Sequence, residues 1–384
     1  MTGPLADIVV IEAAGLGAAP FGGMMLADMG ADVIRIDRPS GTAIPVPGPN
    51  AAAVVDRGRR SVAIELKHPD AAALVVRLVA DADVFIEGNR PGVMESLGLG
   101  PDVLLAANPR LIYGRLTGFG QHGPMAARAG HDLNAIGLSG ALAAIGRHGQ
   151  PPTPPLSLVG DFAGGGLMLA YGVVCALVSR ASTGRGQVVD ASILDGSATL
   201  MAPFYAWAAL GGWNTERGTN IIDSGAPFYD AYRTSDDKWL AVAAIEPKFY
   251  AAFVATLGVD ADTLGAQNDR ACWPEQRRVF ADTIASRSRA EWTERFANVD
   301  ACVTPVLELD EVTEHPLHTA RQSFVTRDGL VQPVPSPRLS ETPGAAGQPG
   351  PAPGAHTRSI LTEAGLSNAD VDGLVEQGVV AERG

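Results

Sequence analysis

Cysteine is scarce in this chain. The three present, Cys175, Cys272 and Cys302, lie far apart. That spacing gives no zinc-ligand pattern and no disulfide framework, as expected of a protein in a reducing compartment. Positive charge is also short, with 29 Lys and Arg against 42 Asp and Glu and a net charge of −13. Such a balance argues against nucleic acid or an anionic membrane surface as partner. Any anionic ligand must therefore be met by a local basic cluster. A basic-then-apolar leader is lacking at the N-terminus, and no uncharged run is expected to reach the roughly 18 residues of a membrane span. The final Ala381-Glu-Arg-Gly384 is no peroxisomal address. No internal repeat is found. These absences set the expectation of a cytoplasmic protein with neither a nucleic-acid nor a membrane partner.

What is present fits a two-domain globular protein: 384 residues, 46% hydrophobic and 18% charged. Residues 7–37 form a β-α-β pattern, with β-branched strands at 8–11 and 33–36. Asp37 ends the second strand, where a dinucleotide fold places its ribose-binding acid. Gly15-x-Gly17 fits such a fold, but Pro20 stands where the third glycine belongs. The pattern thus supports a doubly wound architecture and not a nicotinamide site. A Pro/Gly-rich loop then leads to Arg57, Arg59 and Arg60, which can either grip phosphates or form a solvated turn. Strands at 62–66 and 83–87 follow, the second running into Gly88-Asn-Arg90-Pro-Gly92. Arg38, Arg60 and Arg90 are expected at the carboxyl ends of strands, where ligands sit in open α/β sheets.

A strand at 111–115 leads through Thr117-Gly-Phe-Gly-Gln121 to His131, directly after Gly130 at a helix start. A lone histidine there is more often structural than chemical. Asp161 precedes Gly164-Gly-Gly166 and an apolar run over 167–178. It can cap a helix whose free N–H groups suit an oxyanion, with glycines that admit a ligand. Alternatively, it only caps, and the glycines only permit close helix packing. A strand at 184–190, a helix over 193–209 and a Gly/Asn-rich crossing at 211–227 come next. In the remainder, Glu246 before Pro247 stands at another helix start, and 333–357 is an extended Pro/Gly-rich segment before an amphipathic helix at 358–376. The expected division is a large α/β domain over 1–191 completed by 333–384, a linker helix and crossing over 192–225, and a small domain over 226–323.

Taken together, several stretches resemble the family III CoA-transferases (CaiB/BaiF-like), and within them the α-methylacyl-CoA racemase branch. They include Gly30-Ala-Asp-Val-Ile-Arg-Ile-Asp37, Glu87-Gly-Asn-Arg-Pro-Gly92, Gly130-His131-Asp132, Gly160-Asp161-Phe162, Gly225-Ala-Pro-Phe-Tyr-Asp230 and Ala244-Ile-Glu246-Pro247. One departure is Ser96, in Glu95-Ser-Leu-Gly-Leu-Gly100, where related racemases often carry arginine. The resemblance implies a Rossmann-like large domain, a smaller α+β domain and an interlocked homodimer. The implied substrate is a 2-methylacyl-CoA thioester, from a branched fatty acid or a sterol side chain, in lipid metabolism. Implied CoA contacts are Arg38, Arg59, Arg60 and Arg90.

Racemisation at the α-carbon needs two bases on opposite faces. His131 and Asp161 would supply them. Glu246, from the other subunit, would orient His131, and the helix N-terminus behind Asp161 would face the enolate oxygen. The thioester itself acidifies the α-carbon, so no metal and no cofactor beyond the substrate's CoA is expected. The alternative is a CoA-transferase in which Asp161 is the covalent nucleophile.

Overall fold

A computed structural model describes residues 3–40 and 53–383. The Pro/Gly-rich loop expected after Arg38 lies largely in 41–52, outside the described residues. The chain divides into two compact units: Met1–Ser139, Leu156–Leu200 and Ala320–Gly384 form the first, Gly140–Pro155 and Met201–Thr319 the second. Residues 140–155 thus cluster with the second unit and 192–200 with the first.

The first unit is built on seven strands. β1 (Val9–Ala13), β2 (Asp32–Asp37), β3 (Arg59–Ile64), β4 (Val84–Glu87), β5 (Ile112–Thr117) and β6 (Gln187–Ser192) run parallel. Their order across the sheet is β3-β2-β1-β4-β5-β6, and a short last strand, Val380–Ala381, pairs antiparallel with β3 at the edge. Successive residues of a strand point to opposite faces, and both faces are covered. Ile11, Ile36, Val62 and Phe85 enter one apolar cluster with the helix Ala71–Ala80. Val10, Val33, Val84 and Ile112 enter the other.

That second face is roofed by α1 (Ala18–Asp28) and by a long helix in two parts. A π-helical stretch, Leu158–Leu167, runs directly into the α-helix Met168–Thr183. Together they make 26 helical residues, long and apolar enough to cross a membrane. The expectation that no stretch reaches spanning length is therefore corrected. The run is apolar because Leu169, Ala170, Val173 and Ala176 pack on the sheet, while Tyr171, Val174 and Val178 leave an exposed apolar outer face.

Asp161 lies inside the first turn of the π-helix and not at a cap. Gly164, Gly165 and Gly166 are buried against Ser197, Ile193, Ala18 and Gly22, so these glycines serve close helix packing and do not cradle a ligand. The expected helix over 193–209 is two, Ile193–Leu200 and Ala202–Ala209. The expected C-terminal helix also divides, into Thr357–Glu363 and Asn368–Glu376, because Ser367 caps a fresh start.

The second unit carries an antiparallel sheet of Tyr229–Arg233, Trp239–Ala243 and Val303–Val306. Its core is aromatic: Phe228, Phe253, Phe280 and Trp292 are buried together.

Candidate active site

Strand order in the first unit reverses between β1 and β4. Connections leaving those two strands turn to opposite sides and open a crevice at the carboxyl edge of the sheet. A cavity of about 680 Å³ occupies that place. It is lined by residues 14–19 after β1, Asp37 and Arg38 at the end of β2, 88–91 after β4 and 116–118 at the end of β5. Arg128, His131 and Asp161 line the same cavity.

His131 is the N-cap of the helix Asp132–Leu138. Its backbone N–H donates to Asn134 Oδ1 at 3.1 Å, which fixes the turn and leaves the imidazole exposed. The next residue, Asp132, is buried, and its Oδ2 accepts the backbone N–H of Asp161 at 2.7 Å. One peptide group therefore ties the two candidate bases together. On the other side, Gly17, with φ +69°, comes so close that a methyl there would lie 3.1 Å from Asp161 Oδ2. Phe162 stacks on Phe21, ring centroids 4.7 Å apart, and locks this turn onto α1.

Burial pushes the Asp161 carboxyl above the ordinary carboxylate range, and the neighbouring Asp132 charge adds to the rise. His131 and a hydrogen bond from Ser157 pull it partly back. A carboxyl tuned upward is a better proton acceptor and donor than an ordinary one. The Asp161 N–H is already given to Asp132, so that particular donor is not free for an enolate oxygen.

Arg38 and Arg90 line the cavity, and among the described residues neither guanidinium has a hydrogen bond or ion pair. Arg128 shares both properties, and sequence reasoning misses it; its one signal there is its place three residues before His131. Arg59 and Arg60 are corrected as ligand contacts. Both belong to β3 and sit at its amino end: Arg60 pairs with Ile34, whereas Ala63 reaches the level of Asp37. The Arg59 side chain is fully buried, with Nε donating to Glu12 Oε2 at 2.7 Å and Nη1 and Nη2 donating to the Val55 and Pro20 carbonyls. Arg60 is taken by Asp32 at 2.6 Å and Glu363 at 2.7 Å. Ser96 is exposed and donates to the Val93 carbonyl at 2.7 Å, while its neighbour Glu95 pairs with Arg115. Glu246 lies in the second unit, exposed, as the N-cap of Pro247–Leu257.

The sequence profile of CoA-transferase family III matches residues 5–357. Two mammalian relatives, the α-methylacyl-CoA racemases of Mus musculus and Homo sapiens, are each 46% identical to this chain, and each alignment covers 96% of this chain and 95% of the relative. Among solved structures, a CaiB/BaiF family protein from Brucella suis superposes with a TM-score of 0.84 at 26% identity, covering 95% of this chain and all of that one. The chain belongs to CoA-transferase family III.

Proposed function

We propose that the protein is a racemase that interconverts the R and S epimers of 2-methylacyl-CoA thioesters by 1,1-proton transfer. The observation that carries this reading is the meeting of His131 and an upward-tuned Asp161 in one cavity. Identity of 46% to two α-methylacyl-CoA racemases supports it. Arg38, Arg90 and Arg128 hold the CoA phosphates, since unpaired guanidiniums bind such groups with several donors each.

In one direction neutral His131 removes the α-proton of the S-ester. The C–H electron pair passes into the thioester as an enolate, and protonated Asp161 returns a proton to the opposite face. In the other direction the ionised Asp161 takes the proton from the R-ester and the imidazolium returns one. Each turnover leaves the two groups with exchanged protonation, and the reverse turnover or solvent restores them. No cofactor enters this scheme.

The proposal includes a homodimer in which Glu246 of the partner subunit steadies the His131 cation, as a carboxylate does for a catalytic imidazole. The exposed apolar face of Tyr171, Val174 and Val178 supports such an assembly. A single-enantiomer 2-methylacyl-CoA in deuterated water, with no acceptor acid present, tests the reaction. The expected result is loss of optical purity with deuterium at the α-carbon. An ester that stays unlabelled, and reacts only when a free acid is added, would establish acyl transfer through Asp161 instead.

A further inference from the structure

The second unit holds a cavity of its own, about 630 Å³, that the proposed reaction does not use. Its lining includes Arg147, His148, Arg270, Arg277 and Ser224 and, among the described residues, no carboxylate side chain. In a chain of net charge −13 this is a concentration of cations that calls for a partner.

Among the described residues, only Asp230 of the nearby acids pairs with the guanidiniums of the lining. Arg147 and Arg277 both donate to Asp230, whose side chain is 2% exposed, so two guanidiniums share one buried carboxylate. Arg277 is held rigid by two further bonds, from Nη2 to the carbonyls of Ser224 at 2.8 Å and Gly225 at 2.9 Å. Arg270 lies over the Trp273 ring at 5.3 Å and, among the described residues, has no acidic partner. Asp223 is turned away onto the backbone N–H groups of Gly218, Asn220 and Gly225. Glu216 faces His148 on the exposed rim. Ser224 is held at φ +72°, a conformation that costs a side chain free energy and recurs where a group must be aimed.

We propose that this cavity is a phosphate site, taking the dianion of inorganic phosphate or of a small phosphomonoester. Several guanidiniums converging on one cavity suit a dianion better than a single carboxylate. Trp273 is buried, with Arg270 over its ring, and offers no open face for a nucleobase. The ligand is therefore recognised by its phosphate alone.

The test is calorimetric titration of the full-length protein in the absence of CoA, with an Arg38→Ala variant reporting any binding in the first cavity. Inorganic phosphate and glycerol 3-phosphate are the two titrants. Binding of at least one is expected, and which of them binds separates a free-ion site from a monoester site. Arg270→Ala should weaken it about tenfold or more, the scale of a charge-assisted hydrogen bond. Ser224→Gly should weaken it about fivefold, the scale of a neutral one. Glycine is at ease at φ +72°, so that variant keeps its fold. Arg38→Ala should leave the affinity unchanged. The proposal is overturned if neither titrant binds, if both cavity variants bind as the parent does, or if Arg38→Ala removes the binding.

Discussion

At Asp161 two carboxylates face each other across one peptide N–H, and this sets the acid–base chemistry. Catalysis in the R-to-S direction needs ionised Asp161, so its rate falls as pH drops through a value that burial and Asp132 hold above the ordinary carboxylate range. Asp132→Asn keeps an acceptor for the Asp161 N–H but removes the repelling charge. The acid limb of the pH–rate profile should then move to lower pH, a shift that a purely structural role for Asp132 would not produce. His131→Ala and Asp161→Ala should both abolish racemisation yet fail unequally. The first keeps residual α-exchange only on the R-ester and the second only on the S-ester, read by proton NMR in deuterated water. Among the arginines, Arg90→Ala should weaken CoA-ester binding by roughly 1–3 kcal/mol with little change in fold. Arg59→Ala should instead destabilise the protein by about 3–5 kcal/mol, because it strands Glu12 in a site with no access to water. Urea unfolding of the two variants distinguishes these outcomes.

The elements are legible in the sequence where their signal is local. Runs containing β-branched residues such as Ile11, Val33 and Val84 mark strands, because parallel strands buried on both faces need such side chains. His131 after Gly130 marks a helix start, and a helix does begin there. The start of β3 is hidden because Arg59 and Arg60 look like loop residues. Their partners, Glu12 and Asp32, are 47 and 28 positions away, and only the folded sheet brings them within reach. The position of Asp161 is hidden for a similar reason. Capping rules assume an ordinary α-helix, whereas Leu158–Leu167 has π geometry where it packs on α1 and on Ile193–Leu200. That packing is tight: a methyl on Gly196 would meet the Gly164 carbonyl oxygen, three residues beyond Asp161. Gly196→Ala should therefore cost about 1–3 kcal/mol of stability. It should also lower kcat more than it raises KM for the CoA ester, since Arg38 and Arg90 stand on other elements. Steady-state kinetics on the folded variant check this split.

On the scale of the whole molecule, the first unit is assembled from three separate stretches of chain, and the second occupies the sequence between them. Under the proposed interlocked arrangement, subunits cannot part without unfolding, so the homodimer should persist at nanomolar concentration in sedimentation velocity. A reversible folded monomer there would contradict the arrangement. The edge of the main sheet carries a second consequence. Ala63 of β3 pairs with Ala381, and the amides of Ser61 and Ala63 donate to His356 and Thr357. About three hundred residues separate these partners. At a translation speed of about 5–20 residues per second, the edge of β3 waits roughly 15–60 s for its cover. Through that interval the nascent sheet is open on one side, and the chain of the second unit is completed at Thr319, about 40 residues before His356 arrives. The order of synthesis thus completes the chain of the inserted unit before the residues that seal the older strands are made.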